Sequence, residues 1–232
     1  VVIPAHDEAG NLPVLVAEVE RALEGLLDYE IVVVDDASGD DTPAVLAKLA
    51  ATRPRLVWRR HARQAGQSTA LRNAARLARG EWLATLDGDG QNDPADLPEL
   101  WQAHLDQPAL KLFQGWRVKR RDSGIKRLSS RIANGVRARL LRDATPDSGC
   151  GIRLIERQVL LALPYFDHMH RFLPALTRQA GWPSASVPVN HRPRQAGRSH
   201  YGLGNRLWVG LVDLIGVAWL GRRARPTPFE EV

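Results

Sequence analysis

Apolar, β-branched runs alternate with helix-period stripes through the first half of the chain, and this alternation restricts the fold more than any other feature. Val1–Ala5 is a short apolar run. Leu12–Leu27 carries apolar residues at 12, 15, 16, 19, 23, 26 and 27, the spacing of one helix face. Glu30–Val34 reads as a buried strand. Ser38, Asp40 and Asp41 follow as N-cap candidates for a helix to about Thr52. The series continues with a strand at Leu56–Trp58, a helix at Gln67–Ala78 stopped by Gly80, and a strand at Glu81–Leu86. Pro94 opens a helix to about Leu105, and Lys111–Trp116 is a further strand. The pattern predicts an α/β domain with a mostly parallel central sheet flanked by helices. Ligands in such sheets bind at the carboxyl ends of the strands. The second half is less regular, with a basic helix expected over 122–142 and strands at Ser148–Ile155 and Ala185–Val189.

Composition excludes several classes. At 232 residues and 44% hydrophobic, the chain can bury a full core without staples. Its single cysteine, Cys150, rules out an intramolecular disulfide framework and a Cys-rich zinc site, and reads as a small core residue. The net charge of +6 is unevenly spread. Residues 1–50 hold 11 acids and 2 bases, whereas 111–142 hold 11 bases and one acid. Of the 32 bases, 28 are arginine, which grips phosphate in bidentate fashion. A basic stripe also suits nucleic acid, but no interleaved aromatics accompany this one, so no nucleic-acid partner is expected. No signal peptide is visible. The longest apolar run, Leu207–Leu220, would make a helix of about 21 Å, too short for a hydrocarbon core of about 30 Å.

Two strand ends carry the chemistry. Asp87-Gly88-Asp89-Gly90-Gln91 follows the fourth strand. On extended chain, alternate side chains point the same way, so Asp87, Asp89 and Gln91 are expected to converge. Hard oxygens suit Mg²⁺ or Mn²⁺, and a site with few protein ligands leaves positions for substrate phosphates. The same residues also read as a polar turn capping the next helix. A calcium-loop reading fails on spacing, since Asn92 stands where glycine is required. Asp35-Asp36 follows the second strand, where a carboxylate can accept from a ribose or base, or simply cap the next helix. There is no GxGxxG after the first strand and no GxxxxGK[ST], which disfavours ordinary dinucleotide and P-loop binding.

The stretches PAHDE, VVVDDASGDDT, ATLDGDGQNDP and HRPRQAGRSHYG, in that order and spacing, resemble the family 2 glycosyltransferases. The nearest branch is the polyprenyl-phosphate one, similar to dolichyl-phosphate mannosyltransferase. The resemblance covers roughly residues 1–205. It implies a GT-A nucleotide-diphospho-sugar transferase fold. Beyond it, Arg206, Gly210 and Asp213 share one stripe of an otherwise apolar run and Arg222, Arg223 and Arg225 follow, so 206–232 reads as an amphipathic tail at a membrane interface. The resemblance also implies a GDP- or UDP-linked sugar donor, a divalent metal and a polyprenyl phosphate acceptor. Pro4, His6 and Glu8 match the family's donor-binding motif, and Val34 and Asp36 its base and ribose contacts. Asp87, Gly88, Asp89 and Gln91 match its metal and diphosphate motif. Arg117 matches a phosphate-binding arginine. Arg194 and His200 match a pair that closes over the donor, with His200 where the family has lysine.

On the acceptor side, Arg117, Arg127 and Arg131 resemble the bacterial branch's phosphate-holding pattern, and Arg127 and Arg131 share a face if helical. Asp147 resembles a residue that closes the acceptor site. A phosphate acceptor is already anionic at pH 7 and needs no strong base. The alternative is a carbohydrate hydroxyl acceptor with Asp147 as general base. The expected location is peripheral, on the cytoplasmic face of the membrane, and a homo-oligomer is compatible with the sequence.

Overall fold

A computed structural model describes residues 1–118, 135, 137–141, 143, 145–190, 192 and 203–223, with side chains in the last helix from 210 onward. Arg127, Arg131, Arg194 and His200 lie outside the described residues. The strands are β1 Val2–Ala5, β2 Ile31–Asp35, β3 Leu56–Arg60, β4 Trp82–Thr85, β5 Leu112–Arg117, β6 Arg153–Glu156 and β7 Ser184–Val189. The helices are α1 Leu12–Leu23, α2 Thr42–Thr52, α3 Gln67–Leu77, α4 Leu97–Asp106, α5 Arg157–Ala162, α6 Leu173–Gln179 and α7 Leu203–Arg223. A 3₁₀ turn, Pro94–Asp96, precedes α4, so Pro94 opens the helix through a tighter turn.

The seven strands form one sheet in the order β3-β2-β1-β4-β6-β5-β7. All pairings are parallel except those of β6, which runs against both β4 and β5. The expected alternation of strands and helices therefore holds, with one reversed strand in the sheet. The reversal has a geometric consequence. The amino end of β6 lies on the same sheet edge as the carboxyl ends of β4 and β5.

Both faces of the sheet are covered, which explains the near-continuous apolar strands. Val2, Val32 and Val34 pack on one side with Ala70, Leu71 and Ala74 of α3 and Leu173 and Leu176 of α6. Ile3, Ile31 and Val33 pack on the other with Leu12, Leu15, Val16 and Val19 of α1 and Leu97 and Leu100 of α4. Each fully buried aliphatic chain contributes about 1.5–3 kcal/mol. Cys150 is fully buried in this second core, and burial pushes its thiol up to about 11, so it is inert as a nucleophile.

The terminal helix is oriented the opposite way from a solvent-facing polar stripe. Asp213 of α7 points inward and its carboxylate lies 3.3 Å from the His168 ring. Val217 and Ala218 are buried beside α6, and Gln179 donates to the Val217 carbonyl. The outward face is apolar, with Leu211, Val212, Ile215 and Trp219 exposed. No helix among the described residues is long and apolar enough to cross a membrane.

Two predictions concern the packing. A Cβ on Gly115 would meet the Ile152 carbonyl oxygen at 2.6 Å, where β5 crosses the chain entering β6. Gly216, on α7, has open space around it. Gly115→Ala should destabilise by about 2 kcal/mol or more, and Gly216→Ala should stabilise by about 0.5–1 kcal/mol. Chemical denaturation reads both, and equal signs would contradict the packing described.

The second concerns His170. It bonds the Ser68 hydroxyl at 2.8 Å, and burial, reinforced by Arg153 and Arg171, lowers its pKa from 6.5 to about 3. Between those values the unfolded chain binds a proton that the folded chain refuses, so this group costs stability as pH falls from 6.5 toward 3. The wild-type stability should fall faster than that of His170→Gln across that window, with a slope difference approaching about 1.4 kcal/mol per pH unit. Parallel curves would contradict a buried neutral His170.

Candidate active site

Three loops leaving β1, β2 and β4 meet at the carboxyl edge. Asp7 and Ala37 both turn through the left-handed region, at φ 56° each. For a non-glycine residue that conformation costs roughly 1–2 kcal/mol, and such strain gathers at functional loops. The loops hold each other there. The Asp7 carboxylate accepts from the Gly39 amide at 2.7 Å, and the Asp7 and Glu8 amides donate to the Ser38 and Thr42 hydroxyls.

Asp36 organises the loop after β3. Its carboxylate bonds the His61 ring at 2.7 Å and accepts from the Ala65 and Gly66 amides at 2.8 Å each. Asn73 bonds the other His61 nitrogen at 2.9 Å. Asp36 thus already holds protein donors on both oxygens and fixes the loop after β3 against the end of β2. His6 stands next to it, bonded to the Asp36 carbonyl and to Gln64. Val34 is 1% exposed and lies in the core, because its position in β2 points it at α3.

The Asp87–Gln91 segment is a tight turn and not an extended run. Gly90 sits at φ +72°, and the Gln91 amide donates back to the Asp89 carboxylate. Strand alternation therefore does not bring Asp87, Asp89 and Gln91 together; the turn sets their relation. Gly88 packs under the β1 loop, where a Cβ would meet the Pro4 carbonyl at 3.1 Å. The Asp87 amide donates to Asn92, and Gln67 of α3 donates to the Asp87 carboxylate at 2.7 Å.

Asp87 faces a cleft of about 430 Å³ lined also by Arg117, Asp147, Gly151, Arg153 and His170. A Cβ on Gly151 would fall on the Asp87 carboxylate, so only glycine fits there. Desolvation raises the Asp87 pKa, and the charge of Asp89 adds to the rise; Arg153 and Arg117 oppose it. Arg153 is 3% exposed and donates to the Cys150 and His170 carbonyls, while its Nε has no partner among the described residues. Its guanidinium is the fixed positive charge behind Asp87. Arg117, at the end of β5, is clamped by Asp147 through contacts of 2.6 and 2.8 Å. That pairing raises the Arg117 pKa, so it stays cationic.

Two carboxylates that repel each other beside a polar cleft fit a divalent cation, whose charge would relieve the repulsion. No group of three or more His, Cys, Asp or Glu side chains is arranged as a metal cage among the described residues. Asp87 and Asp89 offer oxygen donors alone, as suits a cation shared with a diphosphate.

Gln67, Arg153, His170 and Arg171 line the cleft and are not among the site residues that the sequence predicts. Arg153 had a faint signal, a lone cation inside the apolar run Ile152–Ile155. Arg192, two residues before the expected Arg194, has a structural role. It pairs with Glu18 at 2.8 and 2.9 Å and donates to the Asn92 carbonyl, tying the exit of β7 to the Asp87–Asp93 turn.

Residues 1–163 match the family model described as glycosyl transferase family 2. The chain is 32% identical to dodecaprenyl-phosphate galacturonate synthase of Rhizobium johnstonii, over 98% of this chain and 69% of that protein. It is 34% identical to undecaprenyl-phosphate 4-deoxy-4-formamido-L-arabinose transferase of Edwardsiella ictaluri, over 88% of this chain and 62% of that protein. The chain thus spans about 62–69% of the length of these relatives. The fold is shared with glucosyl-3-phosphoglycerate synthase of Mycobacterium tuberculosis, solved with Mn²⁺, uridine diphosphate and phosphoglyceric acid. That likeness has a TM-score of 0.70 at 20% identity, over 98% of this chain and 78% of that one. With its GT-A sheet, its paired acidic turn and these matches, the chain belongs to glycosyl transferase family 2.

Proposed function

We propose that the protein transfers a sugar, with inversion, from a nucleotide-sugar donor to a polyprenyl phosphate. The observation that carries this reading is the cleft, where Asp87, which also feels the charge of Asp89, lies beside two guanidiniums, Arg117 and Arg153. That arrangement suits a cation, a diphosphate and a second phosphate together. The curated relatives, whose names state polyprenyl-phosphate substrates, support it.

Pro4, His6, Glu8 and Asp36 form the donor side, with the Asp36-pinned loop as its wall. Asp87, Asp89 and Gln91 are the residues that would hold a Mg²⁺ or Mn²⁺ ion. When bound, the ion stabilises charge on the departing nucleoside diphosphate. Gly88 and Gly151 let ligands approach the chain closely. Arg117 holds the acceptor phosphate in line with the sugar carbon, a positioning effect that supplies much of the rate in such reactions. Arg127, Arg131, Arg194 and His200 keep the roles implied by their motifs. The base, UDP or GDP, is set by the pocket around His6, Asp36 and Gln64. Catalysis takes place at the cytoplasmic face of a membrane, where the acceptor resides.

Asp147 favours the phosphate acceptor over a sugar hydroxyl. Both of its oxygens accept from Arg117 and it is 5% exposed, a poor arrangement for removing a proton from a substrate. Its part is to orient Arg117.

The test is an acceptor competition. With labelled nucleotide sugars, transfer should occur to short-chain polyprenyl phosphate and not to soluble saccharides. Asp147→Asn should keep transfer within about tenfold and leave the acid limb of the pH–rate profile in place, whereas loss of a general base costs about 10²–10⁴-fold. Transfer to saccharide hydroxyls with collapse in Asp147→Asn would support the hydroxyl acceptor instead.

A further inference from the structure

A second cavity, of about 550 Å³, lies under the outer end of α7 and has no counterpart in the proposed chemistry. Arg139, Arg178 and Arg222 line it, together with Leu140, Leu141 and Ala218. No carboxylate lines it, and among the described residues none of the three guanidiniums is paired with one. Arginine stays charged at any physiological pH, so three like charges are gathered around one space. An anion bound there offsets them.

The cavity is continuous with an apolar stripe. Val212, Ile215 and Trp219 follow one another at helical spacing on the outward side of α7, each more than half exposed. Arg222 continues that stripe into the cavity, and Leu140 is exposed on the facing segment. An apolar ridge that ends in a ring of cations matches a phospholipid, with acyl chains beside a phosphate.

We propose that this cavity is a headgroup site for an anionic phospholipid, separate from the acceptor in the cleft. The phosphate sits among Arg139, Arg178 and Arg222, while Val212, Ile215 and Trp219 rest among the acyl chains. The proposal rests on the reading that the enzyme works at a membrane surface. It also gives the lipid a consequence. α7 and the helical segment 137–141 line both cavities. Gly210, Leu214 and Arg137 face the cleft, and Ala218, Arg222 and Arg139 face the second cavity. A lipid at the outer end therefore steadies the wall of the cleft.

Vesicle co-sedimentation tests this with the full chain. The wild type should bind vesicles of equal parts phosphatidylglycerol and phosphatidylcholine, in a salt-sensitive way, and bind pure phosphatidylcholine weakly. The triple variant R139Q/R178Q/R222Q should bind the anionic vesicles at least about tenfold more weakly, each cation near an anionic surface contributing measurably. In detergent, the same variant should transfer sugar to polyprenyl phosphate at the wild-type rate. Soluble glycerol 1-phosphate should not displace the protein from vesicles. Equal vesicle binding by variant and wild type would overturn the proposal, as would equal wild-type binding to neutral vesicles. Displacement by glycerol phosphate would make the ligand a free phosphate and not a lipid. Loss of transfer in detergent, in the variant alone, would assign the cavity to the catalytic machinery. Absence of transfer in the wild type contradicts the proposed function while leaving the vesicle result to be read by itself.

Discussion

The site depends on one carboxylate, Asp87, held in a place that disfavours its charge. It is desolvated and stands near a second acid, Asp89, and both effects raise its pKa. Opposing them are the buried Arg153, the clamped Arg117 and the amide of Gln67. The sheet topology makes this possible. β6 is reversed, so its first residues begin where β4 and β5 end. Gly151 and Arg153 thereby stand against Asp87, and Arg117 approaches from the next strand. With β6 parallel to its neighbours, the Arg153 guanidinium would lie at the far edge of the sheet.

A charge balance of this kind is poised for a cation and phosphates, and the surrounding loops hold it still. Asp36 pins the loop after β3 through three protein donors. Asp7 ties the β1 loop to the β2 loop, and Arg192 ties the β7 exit to α1 and to the acidic turn. Preformed donors and acceptors of this sort need no reorganisation when charge develops on a leaving group, which is where electrostatic catalysis gains most. His170 contributes differently. It stays neutral against Ser68, and so adds no further positive charge to the cleft.

Much of the fold was legible because parallel strands buried on both faces write themselves as short apolar runs between helix stripes. β1 to β5 and α1 to α4 fall where the pattern placed them, within a few residues. The acidic turn was legible as chemistry, but its shape was not. Strand alternation was the wrong guide, because Gly90 reverses the chain. The direction of β6 was hidden, since period-two patterning is the same in either direction. The role of Arg153 was hidden for another reason, since Asp87, the charge it faces, is far away in sequence. The burial of Val34 is not legible from its motif, because a motif position does not say which face of the sheet a side chain takes. The terminal helix was legible as amphipathic, yet its polar Asp213 faces the domain and meets His168, a pairing that only tertiary contact reveals.

The central claim is that the Asp87–Asp89 turn binds a nucleoside diphosphate through a divalent ion. Titration calorimetry with UDP and GDP, with and without Mn²⁺, tests it most directly, on the wild type and on Asp89→Ala. The account predicts that one of the two nucleotides binds the wild type only when Mn²⁺ is present. It predicts that Asp89→Ala unfolds as the wild type does but loses the metal-dependent binding and, with it, transfer. Binding that is equally tight without metal, or a folded Asp89→Ala protein that turns over fully, would contradict it.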